Sequence, residues 1–303
     1  MFSEFLTELK QKEIDISFSG GKIIYSGPEQ YLDYQLIENI KKYKGKLIKH
    51  LWPPECTNML PINTEGSKTP FIFVHGQKAN YVLSEYLGKD QPVYGFFHYG
   101  SSGEKITFNN INLLAENYIA QIQKVLPDGP YLLGGFSFGG TLAFEIAIQL
   151  QKSGYNVPLL VLIDSVSPLA REPFRRYNNF FKIIKYKFLV PFALQVLRIV
   201  ELSVCISFIK TNKPIPIKLR PFYIVDKYKK LTRKYQPEKF DGDILLFRAS
   251  ENKSSFKYMG WETLVNGIKL FHIDGKHLTL YSKIEIYALI KADIQKVTAS
   301  MKS

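Results

Sequence analysis

From Pro70 onward the chain alternates short apolar runs with longer amphipathic ones. "FIFVH" (Phe71 to His75), "PVYGFF", "YLLGG", "PLLVLID" and "DILLFRA" have the character of strands buried on both faces. Between them, Ile111 to Val125 and Phe138 to Lys152 read as helices. A last strand is predicted at "IKLFHI" near Ile268, and a closing helix around Tyr281 to Lys296. Strands alternating with helices predict an α/β fold built on a parallel sheet covered by helices.

Two stretches depart from this rhythm. The first 54 residues read as a separate small unit. An amphipathic start (Phe2, Phe5, Leu6, Leu9) precedes "IDISF" and "KIIYS", two short strands joined through Gly20-Gly21. Pro28 then opens a helical run with Leu32, Leu36, Ile37, Ile40, Leu47, Ile48 and Leu51 near a 3.6-residue period. "PPECTNMLPINTEGSKTP", Pro53 to Pro70, has little periodicity and reads as a linker, placed at residues 55–69. The second departure, about residues 165–240, is an insertion too long for an ordinary connection. Its greasiest part, Phe188 to Ile209, contains Pro191, Gln195, Arg198 and Glu201. A spanning helix needs about 20 mostly apolar residues and tolerates central charges poorly. The expectation is therefore a buried or pocket-lining helix.

Charge sharpens the view of that insertion. The 303-residue chain carries a net charge of +13. Residues 165–240 hold 17 Lys plus Arg against 4 Asp plus Glu, which accounts for the whole excess. So local a charge points to an acidic partner for this segment. Two cysteines, Cys56 and Cys205, do not make a disulfide framework. Glu4 and Glu8 interrupt what a secretory signal would need as an apolar core. The expected location is cytoplasmic.

"LLGGFSFGG", Leu132 to Gly140, sets one serine among glycines between a predicted strand and a predicted helix. Gly135-Phe136-Ser137-Phe138-Gly139 is a G-x-S-x-G. In a nucleophile elbow the serine takes a strained conformation on a tight strand-to-helix turn, and small residues two before and two after leave room for it. The helix start would offer the Phe138 backbone N–H as an oxyanion donor. A neutral hydroxyl needs a base, and there are five histidines. His50 lies in the N-terminal unit, and His75 and His98 precede the serine, against the order Ser, acid, His. His272 falls within a strand pattern, as a core histidine would. His277, in the loop after that strand, is the chosen base. For the acid, Asp164 ends "PLLVLID" at a strand's carboxyl end, where open α/β sheets build their sites, and Glu251 is the alternative one strand later. The second oxyanion donor is expected from "VHGQKAN", at the N–H of Gly76 or Gln77.

On these residues the chain from about Pro70 to Lys296 resembles the thioesterase domains of nonribosomal peptide and polyketide synthetases. The matching pieces are "PFIFVHG", "LGKDQPVYGF", "YIAQIQKVLPDGPYLLGGFSFGGTLAFEIAIQL", "VLIDS", "FDGDILLFRA" and "GKHLTLY". The resemblance implies an α/β-hydrolase fold over residues 70–303, with a helical lid at about 165–240. It carries a catalytic triad onto Ser137, Asp164 and His277. It also implies an acyl or peptidyl chain delivered on the phosphopantetheine of an acidic carrier protein, no metal or other cofactor, and neither nucleic acid nor membrane as partner. The expected reaction is release of the chain from its carrier, by hydrolysis or cyclisation through a serine acyl-enzyme, and the alternatives are an editing role on stalled carriers and lipid-ester hydrolysis. In place of the glycine-rich oxyanion loop common in that family stands "GQKAN". Residues 1–54 resemble the N-terminal docking domains of the tubulysin-synthetase type, a small α+β module. Such modules receive the C-terminal tail of an upstream synthetase.

Overall fold

The N-terminal unit folds as helix α1 (Phe2–Gln11), a hairpin of β1 (Asp15–Ser19) and β2 (Lys22–Ser26), and helix α2 (Tyr34–His50). The computed structural model describes residues 1–19, 22–170, 190–252 and 254–301, with 190–199 as backbone. The Gly20-Gly21 turn expected between the strands lies outside the described residues. Phe5 and Leu9 of α1 bury against Leu36, Ile40 and Leu47 of α2, giving the unit a core of its own. Pro28 does not open α2. A 3₁₀ turn, Glu29–Tyr31, follows it, and Asp33 caps the helix by accepting the Leu36 N–H at 2.8 Å. A capping carboxylate contributes about 1 kcal/mol, and that local gain overrides the proline signal.

This unit does not stand apart. Phe18 and Ile48 join the main hydrophobic core, and Trp52 stacks on Tyr94 of the central sheet with ring centroids 5.8 Å apart.

The sheet comprises β3 (Met59–Asn63), β4 (Phe71–Val74), β5 (Val93–Phe96), β6 (Leu132–Phe136), β7 (Leu159–Ile163), β8 (Asp243–Ala249) and β9 (Gly267–Ile273). Their order is β3-β5-β4-β6-β7-β8-β9. All neighbours run parallel except β3, which pairs antiparallel with β5. β3 lies inside the stretch read as linker, so residues 59–63 of 55–69 are a correction to that expectation. Pro61 is tolerated because β3 is an edge strand. The Asn63 amide turns outward to donate to Lys89 O and Gln91 O. Proline and a polar end hid the strand's period.

Successive side chains of the central strands serve opposite faces. Ile72 and Val74 enter the core shared with α4 (Ile111–Val125) and α5 (Phe138–Lys152). Phe71 and Phe73 enter the core shared with α3 (Lys78–Leu87) and the C-terminal helix. Burial on both faces accounts for the unbroken apolar runs. Helix α3 was not expected, because "KANYVLSEYL" follows directly on the loop after β4 with a weak apolar stripe.

Two helices fill the described part of the insertion between β7 and β8, namely α6 (Val190–Lys210) and α7 (Arg220–Lys234). Residues 171–189 of the expected lid lie outside the described residues. Of the buried or pocket-lining helix expected here, the buried alternative does not hold for the described side chains of α6. Cys205 is buried, but Val200, Val204 and Ile206 are exposed. Helix α7 is anchored by Tyr223, Ile224, Tyr228 and Leu231. The Tyr223 hydroxyl accepts the Ile106 N–H at 2.8 Å, and Arg220 Nη1 donates to Ser101 O at 2.9 Å. After β9 come a 3₁₀ turn, His277–Ser282, and helix α8 (Ile284–Ser300). Among the described residues no helix is long and apolar enough to cross a membrane.

Candidate active site

The parallel strands β4, β6, β7, β8 and β9 end together, and their carboxyl ends carry the residues singled out by sequence. Ser137 follows β6 and caps α5 with φ 56° and ψ −122°. This positive φ falls on the serine itself, so the surrounding turn must enforce it. The flanking glycines contribute space. A Cβ on Gly135 would lie 2.2 Å from Gly139 O, and one on Gly139 would lie 2.2 Å from Val74 O. The turn closes only because both are absent.

Asp164 follows β7 and is buried. Its Oδ2 meets Nδ1 of His277 at 2.6 Å. Its Oδ1 accepts the Ala249 N–H at 3.1 Å and the Asn252 amide at 2.8 Å. Burial raises the carboxyl pKa. The hydrogen bonds from His277, Ala249 and Asn252 outweigh it, and the group sits below its ordinary value. Asp164 therefore stays ionised at neutral pH. Glu251, the alternative acid, is an exposed residue beside this network. Asn252 was not legible in the sequence as part of the site, because a loop asparagine one residue beyond Glu251 carries no motif.

His277 opens the 3₁₀ turn after β9, half-exposed, with its ring stacked on Phe136 at 4.8 Å. Phe136 immediately precedes Ser137, so the imidazole lies over the strand end that presents the hydroxyl. His272, expected in the core, is exposed instead, because β9 is the last strand of the sheet and has one open edge. His75 and His98 are packed ring to ring, 4.1 Å apart, beneath α7. His50 lies at the end of α2, near Phe2.

The loop after β4 repeats the geometry of the serine turn. Gln77 caps α3 with φ 45° and ψ −115°, close to the angles of Ser137. β4 and β6 are neighbours, so two helix N-termini, those of α3 and α5, open at adjacent strand ends. Their first N–H groups lack helical partners and their dipoles are positive there. A developing oxyanion near Ser137 would meet both. Gly76 is closely packed, since a Cβ would lie 2.2 Å from Asn80 Oδ1 and 2.4 Å from the Phe73 ring, and both side chains would have to give way.

A mainly parallel sheet carrying a strained serine elbow, with a His–Asp pair on later strand ends, defines an α/β-hydrolase. Residues 72–179 match the thioesterase domain family model, and residues 3–52 match the TubC N-terminal docking domain. The two matches place a thioesterase-like region behind a segment similar to a TubC-type docking domain. It is 28% identical to malpibaldin synthetase of Mortierella alpina over 245 residues, which is 78% of this chain and 4% of that protein. The chain thus spans about 4% of that relative's length. Among solved structures it resembles the NocB thioesterase domain from the nocardicin cluster, at TM-score 0.56 and 21% identity, covering 80% of this chain and 99% of that one. It also resembles the type II thioesterase BorB from the borrelidin cluster, at TM-score 0.54 and 16% identity, covering 78% and 96%. At these identities the structures share the fold.

Proposed function

We propose that the protein hydrolyses or cyclises an acyl or peptidyl chain held as a thioester on the phosphopantetheine of a carrier protein. The observation that carries this reading is the 2.6 Å contact between Asp164 and His277 beside the strained Ser137. Ser137 Oγ attacks the thioester carbonyl while His277 takes its proton. Backbone N–H groups of Phe138 and of Gly76 or Gln77 hold the oxyanion. The phosphopantetheine thiolate leaves and takes the proton from His277, and the chain remains as an ester on Ser137. His277 then activates water, or an internal amine or hydroxyl, which displaces the chain and restores the serine. Asp164 orients the imidazole throughout and stabilises the imidazolium. These steps balance with the chain's own residues and the attacking nucleophile, so the reading calls for no metal or organic cofactor.

The carrier is assigned to α7. Lys229 and Arg233 are exposed one turn apart on this helix, and Lys230 is ion-paired with Asp226 at 2.7 Å. Lys229→Glu together with Arg233→Glu is expected to raise KM for acyl-carrier substrate by about tenfold, in proportion to a loss of roughly 1.4 kcal/mol. The effect should shrink as salt shortens the Debye length below about 8 Å. A small acyl N-acetylcysteamine thioester should be turned over as before. Equal losses on both substrates would contradict the assignment.

The docking unit supports release within an assembly line over editing of free carriers. Its β1–β2 hairpin exposes Ile24 and, among the described residues, forms a two-stranded sheet of its own, so an extended tail has a strand edge to join. Truncation at residue 54 would strip Phe18 and Ile48 from the hydrolase core, so a point change is the better probe. Ile24→Lys should slow release from the upstream synthetase at low enzyme concentration, and excess carrier should restore the rate. Tethering supplies an effective concentration of the order of millimolar, which excess carrier replaces. An unchanged rate at nanomolar enzyme would remove this face of the hairpin from docking.

A further inference from the structure

Three rings lie nearly parallel beneath the lid. Tyr228, on α7, stacks on Phe138 with centroids 4.4 Å apart and planes at 10°. It also faces His75 at 5.5 Å and 8°, and His75 and Phe138 lie 5.8 Å apart at 18°. Phe138 directly follows Ser137, and His75 directly precedes Gly76 and Gln77. Each core ring therefore belongs to the chain neighbour of a candidate oxyanion donor, or to the donor residue itself. Tyr228 is buried, and its hydroxyl donates to Tyr99 O at 3.2 Å. The edge of its ring is thus fixed while its face meets both halves of the site.

The loop beneath Tyr228 is poorly suited to hold its own shape. His75 and Gln77 both have positive φ, 59° and 45°, which non-glycine residues keep only when their surroundings over-determine them. Nδ1 of His75, Nδ1 of His98 and both amide atoms of Asn80 are buried without a protein partner, an arrangement that works against the closed form of the loop. Backbone bonds oppose it, from His75 N–H to Phe96 O at 2.9 Å and from Ala79 N–H to Gly76 O at 2.8 Å, and the His75 ring has one polar contact, the 2.9 Å bond between Nε2 and the Tyr118 hydroxyl. The remaining restraint on the His75 ring comes from its aromatic neighbours, and one of these belongs to the lid.

We propose that Tyr228 is a positioning residue: docking of α7 through its ring sets the His75-Gly76-Gln77 loop against the Ser137 turn and so assembles the oxyanion hole. This inference rests on the reading of Ser137 as nucleophile, but it concerns the geometry of the hole and not the identity of the substrate.

The imidazoles supply an independent signature. The titratable side chains that meet the His75 and His98 rings are Tyr118 from α4 and Tyr228 from α7, and Tyr99 and Glu104, from the loop after β5, act on Tyr228. Burial, and then the neighbouring His98, hold His75 well below its ordinary value. Burial lowers His98 to about 4. Removing the Tyr228 ring admits water to the pair, and both should move back toward about 6.5.

The test compares Tyr228→Leu with Tyr228→Phe in the full chain. Hexanoyl N-acetylcysteamine thioester measures turnover, and an alkyl fluorophosphonate probe measures the reactivity of the serine without any thioester. Tyr228→Leu is expected to lower kcat and the fluorophosphonate inactivation rate by about 10²-fold, the scale of a misplaced donor. KM for the small thioester should stay within about twofold. Tyr228→Phe keeps the ring and should restore both rates. In NMR titrations the ring signals of His75 and His98 should stay constant from pH 5.5 to 8 in the wild type and titrate in Tyr228→Leu. Should Tyr228→Leu fail to fold, Phe138→Leu removes the same ring contact from the other side, keeps the backbone N–H, and should give the same loss. Unchanged rates in the leucine variants, or a loss in Tyr228→Phe equal to that in Tyr228→Leu, would overturn the proposal. A wild type that reacts with the fluorophosphonate but hydrolyses no thioester would defeat the functional reading alone, and the inactivation rates would still decide the role of Tyr228.

Discussion

Ser137→Ala is expected to lower kcat by about 10⁶-fold while leaving the melting temperature within a degree or two of the wild type. The large effect follows from removing the atom that forms the covalent intermediate in the proposed mechanism. The small effect on stability follows from the geometry of the turn. Alanine keeps the Cβ, so the unfavourable φ of 56° is unchanged, and the crowding among Gly135, Gly139 and Val74 does not involve the hydroxyl. Kinetics on a carrier-bound thioester together with a thermal melt measure both. Residual activity above about one part in a thousand, in a sample free of wild-type enzyme, would mean that another group performs the chemistry.

Asp164→Asn should lower kcat by about 10⁴-fold and, unlike the serine change, should also cost stability. Both carboxylate oxygens of Asp164 are occupied, by donors from His277, Ala249 and Asn252. An amide can accept at one atom only. Its NH₂ must then face either the Ala249 N–H and the Asn252 amide, or Nδ1 of His277 in the wrong tautomer. A hydrogen bond to a charged group contributes about 1.5–3 kcal/mol, and a loss of that order is expected in urea unfolding at pH 7. The pH dependence has a definite sign. Asp164 is held below its ordinary value in the folded protein, so its contribution is fully present above the unfolded value of about 4 and disappears as pH falls through the folded one. The stability gap between wild type and variant should therefore narrow in acid. A gap that widens on acidification would contradict the depressed value.

Strand ends and the elbow were legible because they obey local rules. Unbroken apolar runs such as "PLLVLID" occur where both faces of a sheet are covered, and G-x-S-x-G between such a run and a helix has few other uses. The geometry also favours Asp164 over Glu251, a choice that strand order made accessible. Elements that rely on tertiary partners were not legible. β3 contains Pro61 and forms only because the edge of β5 is available to it. Helix α3 has a weak stripe and gains stability by packing Ala79, Leu83 and Leu87 against the sheet and α8. Asn252 acts on Asp164 across 88 positions of sequence, and the ring of Tyr228 meets that of His75 across more than 150. Neither contact leaves a periodic trace. The exposure of Val200, Val204 and Ile206 on α6 is likewise invisible in composition, since hydrophobicity alone reads as burial.

The most direct test is to trap the acyl-enzyme from a natural mode of delivery. Wild-type protein is mixed with a carrier protein bearing a hexanoyl group on its phosphopantetheine, quenched in acid within milliseconds, digested and mapped by mass spectrometry. The mechanism predicts a hexanoyl ester on the peptide containing Ser137, formed in step with the free phosphopantetheine thiol and absent from Ser137→Ala. Acyl transfer to any other residue, or turnover of the carrier thioester with no ester on Ser137 at any quench time, would contradict it.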